Sequence, residues 1–255
     1  MITLIISGCC GRMGRSIATL ALHDFEQLFS VAAALEVAGH EALGHDLGTV
    51  LGRSSPLGVR VGSDARAALG QGDVLIEFTA PDVTITHVQL AQQLGKPIVI
   101  GTTGLSDAQR ATLQTAAKSI PIVFSPNMSL GVNVLFELTQ LAAERLGLSF
   151  DVEVIESHHR QKKDAPSGTA KRLIEVLAAA RRQPANAIPV HAVRAGDIVG
   201  DHTVVLAGPS ERLELTHRAQ SREVFARGAL RAAQFVAQQK PGLYDMSHVL
   251  KAAHG

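Results

Sequence analysis

The sequence predicts an α/β protein with two domains: an N-terminal doubly wound parallel sheet, and a C-terminal α+β domain with an open mixed sheet. Over residues 1–128, short apolar runs rich in β-branched side chains alternate with segments of helical periodicity. Beyond that point, short segments alternate between apolar and polar residues and are separated by turns. Helical spacing returns at Arg222, so we assign residues 1–128 and 222–255 to the first domain and residues 129–221 to the second.

Composition and charge exclude several classes of function. The chain has 255 residues, of which 46% are apolar and 18% charged, with a formal net charge of +1 and no Trp. This near-neutral charge argues against a nucleic-acid-binding face, and no apolar run is long enough to span a membrane. The segment before Cys9 lacks the basic start and the apolar length of a signal peptide. We therefore expect a cytoplasmic protein that binds neither nucleic acid nor membranes.

The elements of the first domain follow from apolar runs and the residues that interrupt them. Predicted strands cover residues 1–6, 29–35, 73–79, 97–100 and 120–124. Helical periodicity is found over residues 15–23 and 83–94. Ser106 and Gln109 form a capping box for a helix that continues to Lys118. Residues 38–62 contain Gly and Ser without clear periodicity, and we interpret them as an irregular surface excursion.

The second domain begins with a helix of apolar periodicity over residues 130–146. Segments of alternating polarity predict strands with one packed face at residues 150–154, 190–194, 203–206 and 213–217. A helix is predicted from Ser167 to about Arg182, and a last helix from Arg222 to Pro241–Gly242. We interpret three histidines on the predicted strands as residues of the core edge or of an oligomer face: His191, His202 and His217.

A glycine-rich turn with the spacing Gly8-x-x-Gly11-x-x-Gly14 joins the first strand to the first helix. Strand, glycine turn and helix are typical of a Rossmann-like dinucleotide site, where the backbone approaches a pyrophosphate at the helix N-terminus. Glu36 follows the second strand, at the place of the carboxylate that binds an adenosine ribose. Val37 offers no positive charge to a 2′-phosphate, so we expect NADH to be used at least as well as NADPH.

Two further loops follow predicted strands of the same sheet, Gly101–Thr103 and Ser125–Met128. Because ligands of such sheets bind at the carboxyl ends of the strands, these loops are predicted to contact the nicotinamide side of the cofactor. Cys9 and Cys10 are adjacent and form no cluster with zinc-site spacing, so no metal is predicted. Packing explains the pair, and a redox-sensing thiol is the less favoured alternative.

A basic segment over residues 158–163 has five basic side chains in six positions. Such a segment suits a small polyanion such as a dicarboxylate, and a solvated basic loop is the alternative interpretation. Within it, Lys162 can donate a proton. The consecutive residues His158 and His159 point to opposite sides of an extended chain, so only one of them is expected to face a reacting atom.

A Pro-Ser-Gly-Thr turn follows the basic segment and starts a helix. The N-terminal amides at Gly168 and Thr169 can take a carboxylate. Ser167 can act in the same turn or simply as the N-cap, and both roles can hold together. The segment is therefore interpreted as a clamp for a dicarboxylate with a built-in acid.

Several motifs resemble those of the dihydrodipicolinate reductase family, and the resemblance covers essentially the whole chain. The motifs are Gly8-x-x-Gly11-Arg12-Met13-Gly14, Gly101-Thr102-Thr103-Gly104, Arg194-Ala195-Gly196-Asp197-Ile198-Val199-Gly200, Phe225-Ala226-Arg227-Gly228-Ala229 and the highly specific Glu156-Ser157-His158-His159-Arg160-x-Lys162-x-Asp164-Ala165-Pro166-Ser167-Gly168-Thr169. The resemblance implies a homotetramer that reduces a cyclic dicarboxylate, 4-hydroxy-tetrahydrodipicolinate, with NADH or NADPH in the diaminopimelate route to lysine. It also implies a dinucleotide-binding first domain and a second domain for substrate binding and oligomerisation.

The resemblance further implies roles for individual residues. His158 is the catalytic donor and acceptor and Lys162 the proton donor, although which of them delivers the proton stays open. His159, Gly168 and Thr169 bind substrate, and Ser167 is included because it belongs to the same turn. The implied cofactor-binding residues are Gly8, Cys9, Cys10, Gly11, Arg12, Met13, Glu36, Gly101, Thr102, Thr103, Ser125, Pro126, Asn127 and Met128.

Two other functions compete with this interpretation. Another two-domain NAD(P)-dependent dehydrogenase acting on an amino dicarboxylate would show the same fold and a similar anion site. A protein that senses NADH without turnover would need a partner-binding or DNA-binding segment, for which a net charge of +1 gives no support.

Overall fold

The computed structural model describes residues 1–252. The chain forms two compact units, one built from Met1–Met128 together with the segment from Phe225 onward, and the other from Ser129–Val224. Within residues 1–252, no helix has both the length and the apolar character needed to cross a bilayer.

The strands and helices are as follows. The strands are β1 Ile2–Ser7, β2 Phe29–Leu35, β3 Val61–Gly62, β4 Val74–Glu77, β5 Ile98–Ile100, β6 Pro121–Phe124, β7 Asp151–His158, β8 Val190–Arg194, β9 Asp201–Ala207, β10 Arg212–Arg218 and β11 Gly242–Tyr244. The helices are α1 Arg12–Ala21, α2 Leu47–Val50, α3 Ala65–Leu69, α4 Pro81–Leu94, α5 Asp107–Ala116, α6 Leu130–Leu146, α7 Gly168–Arg181, α8 Glu223–Val236 and α9 Met246–Ala252.

The first unit contains a parallel sheet in the order β11-β6-β5-β4-β1-β2-β3. Its interior strand β1 buries Leu4, Ile5 and Ile6 completely, as expected for a strand covered by helices on both faces. The strand order reverses direction between β1 and β4, which is where doubly wound sheets bind their ligands. The predicted Rossmann-like fold is confirmed.

Two elements at the end of the chain were not predicted. The sequence predicts that the last helix ends at Pro241–Gly242, whereas Gly242 begins β11, which pairs in parallel with β6, and α9 follows. A strand of three residues carries too little periodicity to be recognised from sequence. Pairing to an existing sheet edge decides its conformation.

The excursion over residues 38–62 is more ordered than predicted. It contains α2, whose Leu47 is fully buried, and ends in β3, which pairs with β2. The Asp46 carboxylate accepts hydrogen bonds from the backbone amides of Gly48, Leu57 and Gly58 at 2.7, 2.8 and 2.8 Å. These bonds hold the pKa of Asp46 below its usual value. They also hold the neighbouring backbone in place where it forms neither helix nor strand.

The second unit contains a mixed sheet in the order β10-β9-β7-β8, in which β7 and β8 are parallel and the other pairs antiparallel. Helix α7 packs on the sheet through Leu173 and Leu177, which share a core with Val154 and Val204. Burial alternates along β7, so that Val152, Val154, Glu156 and His158 face the core. Because side chains alternate along the strand, the ionisable residues Glu156 and His158 lie on the apolar face of the sheet.

Candidate active site

The glycine turn between β1 and α1 is shaped for close approach of the backbone to a ligand. Gly8 has a φ of +72°, and a Cβ added there would lie 2.7 Å from the carbonyl oxygen of Phe78. A Cβ on Gly14 would lie 2.1 Å from the carbonyl oxygen of Gly8, so the first turn of α1 folds directly onto the loop. This contact explains why α1 begins at Arg12 rather than at Arg15, where the periodicity places it.

The N-terminus of α1 can receive a pyrophosphate. Its N-cap Gly11 makes no side-chain hydrogen bond, so no side chain competes for the first amides of the helix. Arg12 is exposed beside these amides, Met13 is half-buried, and Cys9 is fully buried. Cys9 therefore offers a dinucleotide only its backbone, and burial raises the pKa of its thiol.

Glu36 lies at the end of β2, beside the glycine turn. Its carboxylate accepts hydrogen bonds from the amides of Cys10 at 3.1 Å and Val37 at 3.0 Å. The adjoining cleft has a volume of about 430 Å³ and is lined by Gly8, Glu36, Val37, Ala38, Ser63, Thr79, Ala80, Val83 and His87 among others. Three features at this cleft fit a dinucleotide: a glycine turn with no room for side chains, the N-terminus of α1 and the Glu36 carboxylate.

The loop Gly101–Thr103 is tied to a buried polar cluster. Thr102 Oγ1 accepts hydrogen bonds from the amide of Thr79 at 3.1 Å and from Thr84 Oγ1 at 2.8 Å. Glu77, fully buried, lies 2.6 Å from Nδ1 of His87 and accepts a hydrogen bond from the Thr79 hydroxyl. Gly101 has no room for a side chain, because a Cβ there would lie 2.1 Å from the Phe78 ring. Thr103 is exposed.

The loop Ser125–Met128 is held by its own hydrogen bond, from Ser125 Oγ to the carbonyl oxygen of Asn127 at 2.8 Å. Pro126 is exposed, whereas the Met128 side chain is buried. The Met128 carbonyl oxygen lies 1.7 Å from a Cβ added at Gly228, which explains the glycine in α8. Contact of this loop with a ligand would therefore involve Pro126 and the exposed backbone.

In the second unit, Glu156 and His158 form a buried pair on the core face of β7. His158 Nδ1 lies 2.5 Å from Glu156 Oε2. Since a carboxylate accepts, Nδ1 carries the hydrogen and Nε2 is left as the exchangeable nitrogen. Nε2 lies 3.0 Å from a Cβ added at Gly200, so the glycine keeps space open beside it.

Arg194 and the backbone complete the surroundings of Glu156. Arg194 donates from its two terminal nitrogens to the two oxygens of Glu156 at 2.9 and 2.7 Å, and the amide of Ser167 donates to Oε1 at 3.1 Å. Burial acts to raise the pKa of Glu156, but the hydrogen bonds from Arg194 and His158 outweigh it, and the pKa is lowered. Burial lowers the pKa of His158, while Glu156 opposes the shift. The site therefore holds a neutral imidazole against a carboxylate at neutral pH.

Lys162 and His159 lie in the basic segment that follows β7. Lys162 Nζ forms an ion pair with Asp164 Oδ1 at 2.8 Å, and this contact lowers the pKa of Asp164. His159 Nε2 lies 3.5 Å from Arg222 Nη2. Lys162 is half-buried, in contrast to the exposed Arg160 and Lys163 on either side of it.

The N-terminus of α7 joins the same cluster through Ser167. Its hydroxyl accepts a hydrogen bond from the Ala170 amide at 3.2 Å, which makes it the N-cap, and lies 3.1 Å from His202 Nε2. The His202 ring packs edge-on against His158, with 5.1 Å between the ring centroids. Burial lowers the pKa of His202 to about 3. Gly168 is exposed at the first position of the helix.

Three residues of this cluster were given no role from the sequence: Glu156, Arg194 and His202. The sequence favours a core-edge or oligomer-face position for His202, and the structure places this residue between His158 and Ser167. Arg194 pairs with His158 across β7 and β8, and His202 with Glu156 across β7 and β9. The available signal was the register of alternating strands, which becomes informative only after the strand pairs are known.

Comparison with known proteins identifies the family. The family profile described as "Dihydrodipicolinate reductase, N-terminus" matches residues 2–128, and that described as "Dihydrodipicolinate reductase, C-terminus" matches residues 131–250. The chain belongs to the dihydrodipicolinate reductase family. It is accordingly an NAD(P)H-dependent oxidoreductase of the diaminopimelate route to lysine.

Relatives and solved structures agree with this dihydrodipicolinate reductase assignment. The 4-hydroxy-tetrahydrodipicolinate reductase of Cupriavidus necator is 46% identical over 97% of this chain and 98% of its own, and that of Anaeromyxobacter dehalogenans is 46% identical over 98% of both. The structure of dipicolinate-bound dihydrodipicolinate reductase from a Paenisporosarcina species has a TM-score of 0.79 at 25% identity, covering 96% of this chain and 97% of that one. An amine dehydrogenase from Mycobacterium smegmatis, with a TM-score of 0.64 at 15% identity, shares the fold. The assignment favours the reductase over the other dehydrogenases and over a non-catalytic NADH sensor.

Proposed function

We propose that the chain reduces 4-hydroxy-tetrahydrodipicolinate, with the first unit binding the dinucleotide and the second binding the cyclic dicarboxylate. The reduced nicotinamide, when bound, supplies a hydride. The observation that carries the assignment of the second unit is the cluster of Glu156, His158 and Ser167, which puts a titratable imidazole beside a helix N-terminus and a basic segment.

The substrate's two negative charges match two features of the second unit. The first feature is the basic segment, with Lys162 and His159. The second is the N-terminus of α7, where the backbone amides of Gly168 and Thr169 are aligned with the helix dipole. Ser167 is the N-cap and is buried, so its contribution is to hold this turn in place. We propose that these residues fix the ring with its reacting carbon near His158.

The acid–base roles follow from the surroundings of each group. Lys162 ends in an amine whose N–H groups are donors, so it can donate a proton. His158 is held neutral by burial, with Nδ1 committed to Glu156 and Nε2 available to accept or return a proton. We assign the proton donation to Lys162 and the relay to His158, with Asp164 restraining Lys162 until an anion replaces it.

Replacement of Lys162 tests this assignment. In Lys162→Ala we expect kcat to fall by about 10²- to 10⁴-fold, the usual contribution of a positioned acid, with a much smaller rise in substrate KM. The matched control is Lys163→Ala, because Lys163 is exposed and adjacent. A kcat within about tenfold of the wild type would make Lys162 a binding residue only.

We further propose that NADH is used at least as well as NADPH. Glu36 repels a 2′-phosphate, and the neighbouring Val37 is 63% exposed and carries no charge. Arg12 is the cation at this loop that would partly compensate. The test is kcat/KM for both cofactors in the wild type and in Val37→Arg, where we expect efficiency with NADPH to rise. A wild-type preference for NADPH of tenfold or more would contradict the proposal.

The assembly and location of the chain are proposed on the family resemblance and on one surface. The outward face of the mixed sheet exposes Ile155 and Val193, which are 39% and 43% accessible in the single chain. We propose a cytoplasmic homotetramer that covers this face. Sedimentation of the wild type and of Ile155→Asp is the test, because the charged variant should dissociate if the face is an interface.

A further inference from the structure

We propose that Cys9, Cys10 and Glu36 form a binding site for a thiophilic divalent cation such as Zn²⁺, and that this cation competes with the dinucleotide. One ligand atom from each of the three residues lies within 4.8 Å of the others. The chain has two cysteines in all, and both belong to this cluster. The competition rests on the proposed dinucleotide site at Glu36, whereas the cation site itself does not.

The distance between the sulfur atoms fits a shared tetrahedral cation. Cys9 Sγ and Cys10 Sγ are 3.8 Å apart, so they are not joined in a disulfide. Zinc–thiolate bonds of about 2.3 Å at a tetrahedral angle separate two sulfur atoms by about 3.8 Å. The side chains of this turn therefore already have the spacing of two zinc ligands.

Glu36 supplies the third ligand from a fixed position. The amide of Cys10 donates to Glu36 Oε2 at 3.1 Å, which holds the carboxylate against the cysteine turn. A carboxylate has about four acceptor directions, so hydrogen bonds from the amides of Cys10 and Val37 leave some for a cation. Two sulfur ligands and one carboxylate leave a fourth position for water, an arrangement typical of accessible zinc sites.

Access and proton balance are compatible with binding. Cys9 is buried, while Cys10 is partly exposed and gives a cation its route to the sulfur pair. Each thiol releases its proton to solvent when the metal–sulfur bond forms, and no electron is transferred. A cation held by Glu36 would occupy the carboxylate that the adenosine ribose needs, so each ligand should weaken the other.

Cadmium provides a direct readout that is independent of turnover, because cadmium bound to thiolate gives an ultraviolet charge-transfer band. We expect the reduced wild-type protein to develop this band to one equivalent of Cd²⁺, and Cys10→Ser to lose it. His248→Asn is the matched control, because it removes a surface histidine of the same unit and leaves both sulfurs. In Glu36→Gln the band should persist, with cadmium affinity lower by about 10- to 100-fold.

Competition is measured on the same band. With NADH at about one hundred times its own Kd, mutually exclusive binding raises the apparent Kd for Cd²⁺ about 100-fold. Absence of a stoichiometric band in the wild type, or an undiminished band in Cys10→Ser, overturns the site. A band that NADH does not weaken overturns the competition. The cadmium band in NADH-free protein keeps its meaning even if the proposed reduction fails.

Discussion

Each unit of this protein contains a buried glutamate paired with a histidine, and the two pairs differ in what surrounds the carboxylate. In the first unit, Glu77 lies 2.6 Å from Nδ1 of His87; in the second, Glu156 lies 2.5 Å from Nδ1 of His158. Both carboxylates are 0% exposed. The local geometry of the two pairs is thus nearly the same.

The third partner of each carboxylate separates them. Glu156 accepts two hydrogen bonds from Arg194, which carries a full positive charge. Glu77 instead accepts hydrogen bonds from the neutral hydroxyl groups of Thr79 and Thr84. The Arg194 guanidinium balances the negative charge of the buried Glu156 carboxylate, so the imidazole does not have to carry a positive charge to do so. His158 can then exchange a proton without leaving an unpaired buried charge.

The hydroxyl groups around Glu77 indicate a different role. Thr79 and Thr84 also contact Thr102, in the loop proposed to bind the nicotinamide side of the cofactor. The Glu77 pair therefore holds backbone segments in place, whereas the Glu156 pair orients the imidazole to which we assign the proton relay. A histidine paired with a carboxylate does not by itself indicate catalysis; the remaining partners of the carboxylate decide its role.

Removing the guanidinium should have the largest effect. In Arg194→Met, Glu156 keeps its burial and loses its cationic partner, so we expect the free energy of unfolding to fall by about 3–5 kcal/mol. Urea denaturation of the wild-type chain and of the Arg194→Met variant measures this loss of stability. Arg172→Met, which breaks an exposed pair with Glu175, should cost less than about 1 kcal/mol. Equal losses in the two variants would mean that Glu156 does not depend on Arg194.

Neutralising each carboxylate should separate the two pairs kinetically. In Glu156→Gln we expect kcat to fall about 100-fold, with NADH KM unchanged, because the orientation of His158 is lost. The pKa of His158 should fall further, since Glu156 raises it, and the limb of the pH–rate profile that reports His158 should move to lower pH.

The counterpart Glu77→Gln should raise the KM for NADH about tenfold and change kcat little, because the Thr79 and Thr102 segments loosen. Steady-state kinetics across pH on both variants gives the comparison. The same pattern in both variants, or an unshifted pH profile in Glu156→Gln, would remove the distinction between positioning an imidazole and holding a binding loop.

A smaller effect is expected from His202, which packs against His158. Its folded pKa of about 3 lies below the unfolded value of 6.5, so the unfolded chain takes up a proton first as the pH falls. Stability is then lost below pH 6.5, and this residue contributes about 2 kcal/mol of loss between pH 7 and pH 5. Unfolding of His202→Gln should show a shallower pH slope, while the exposed-site variant His191→Gln keeps that of the wild type. Identical slopes in all three proteins would show that His202 is not held neutral.

Much of the fold was determined by local sequence patterns. Apolar runs predict the strands β1, β2, β4, β5 and β6 of the parallel sheet, whereas the short strands β3 and β11 escape them. Helix α6 and strand β2 lie where their periodicity places them. Ser106 and Gln109 form the predicted capping box, because both partners lie within one helical turn. The glycine at position 14 is required by its contact with Gly8 in the same turn. These features depend on residues that are close together in the sequence, so the sequence alone can predict them.

Only the tertiary structure decided which residues surround His158. Arg194 and His202 are distant in sequence from Glu156 and Ser167, and the strand register of β8 and β9 brings them there. The same holds for Glu36, whose carboxylate meets the Cys10 amide although 26 residues separate them. A buried charge needs partners on neighbouring strands, and a sequence does not display which strands are neighbours. The sequence alone determined the fold class and distinguished the basic segment over residues 158–163. The tertiary structure decided which residues hold His158 in place.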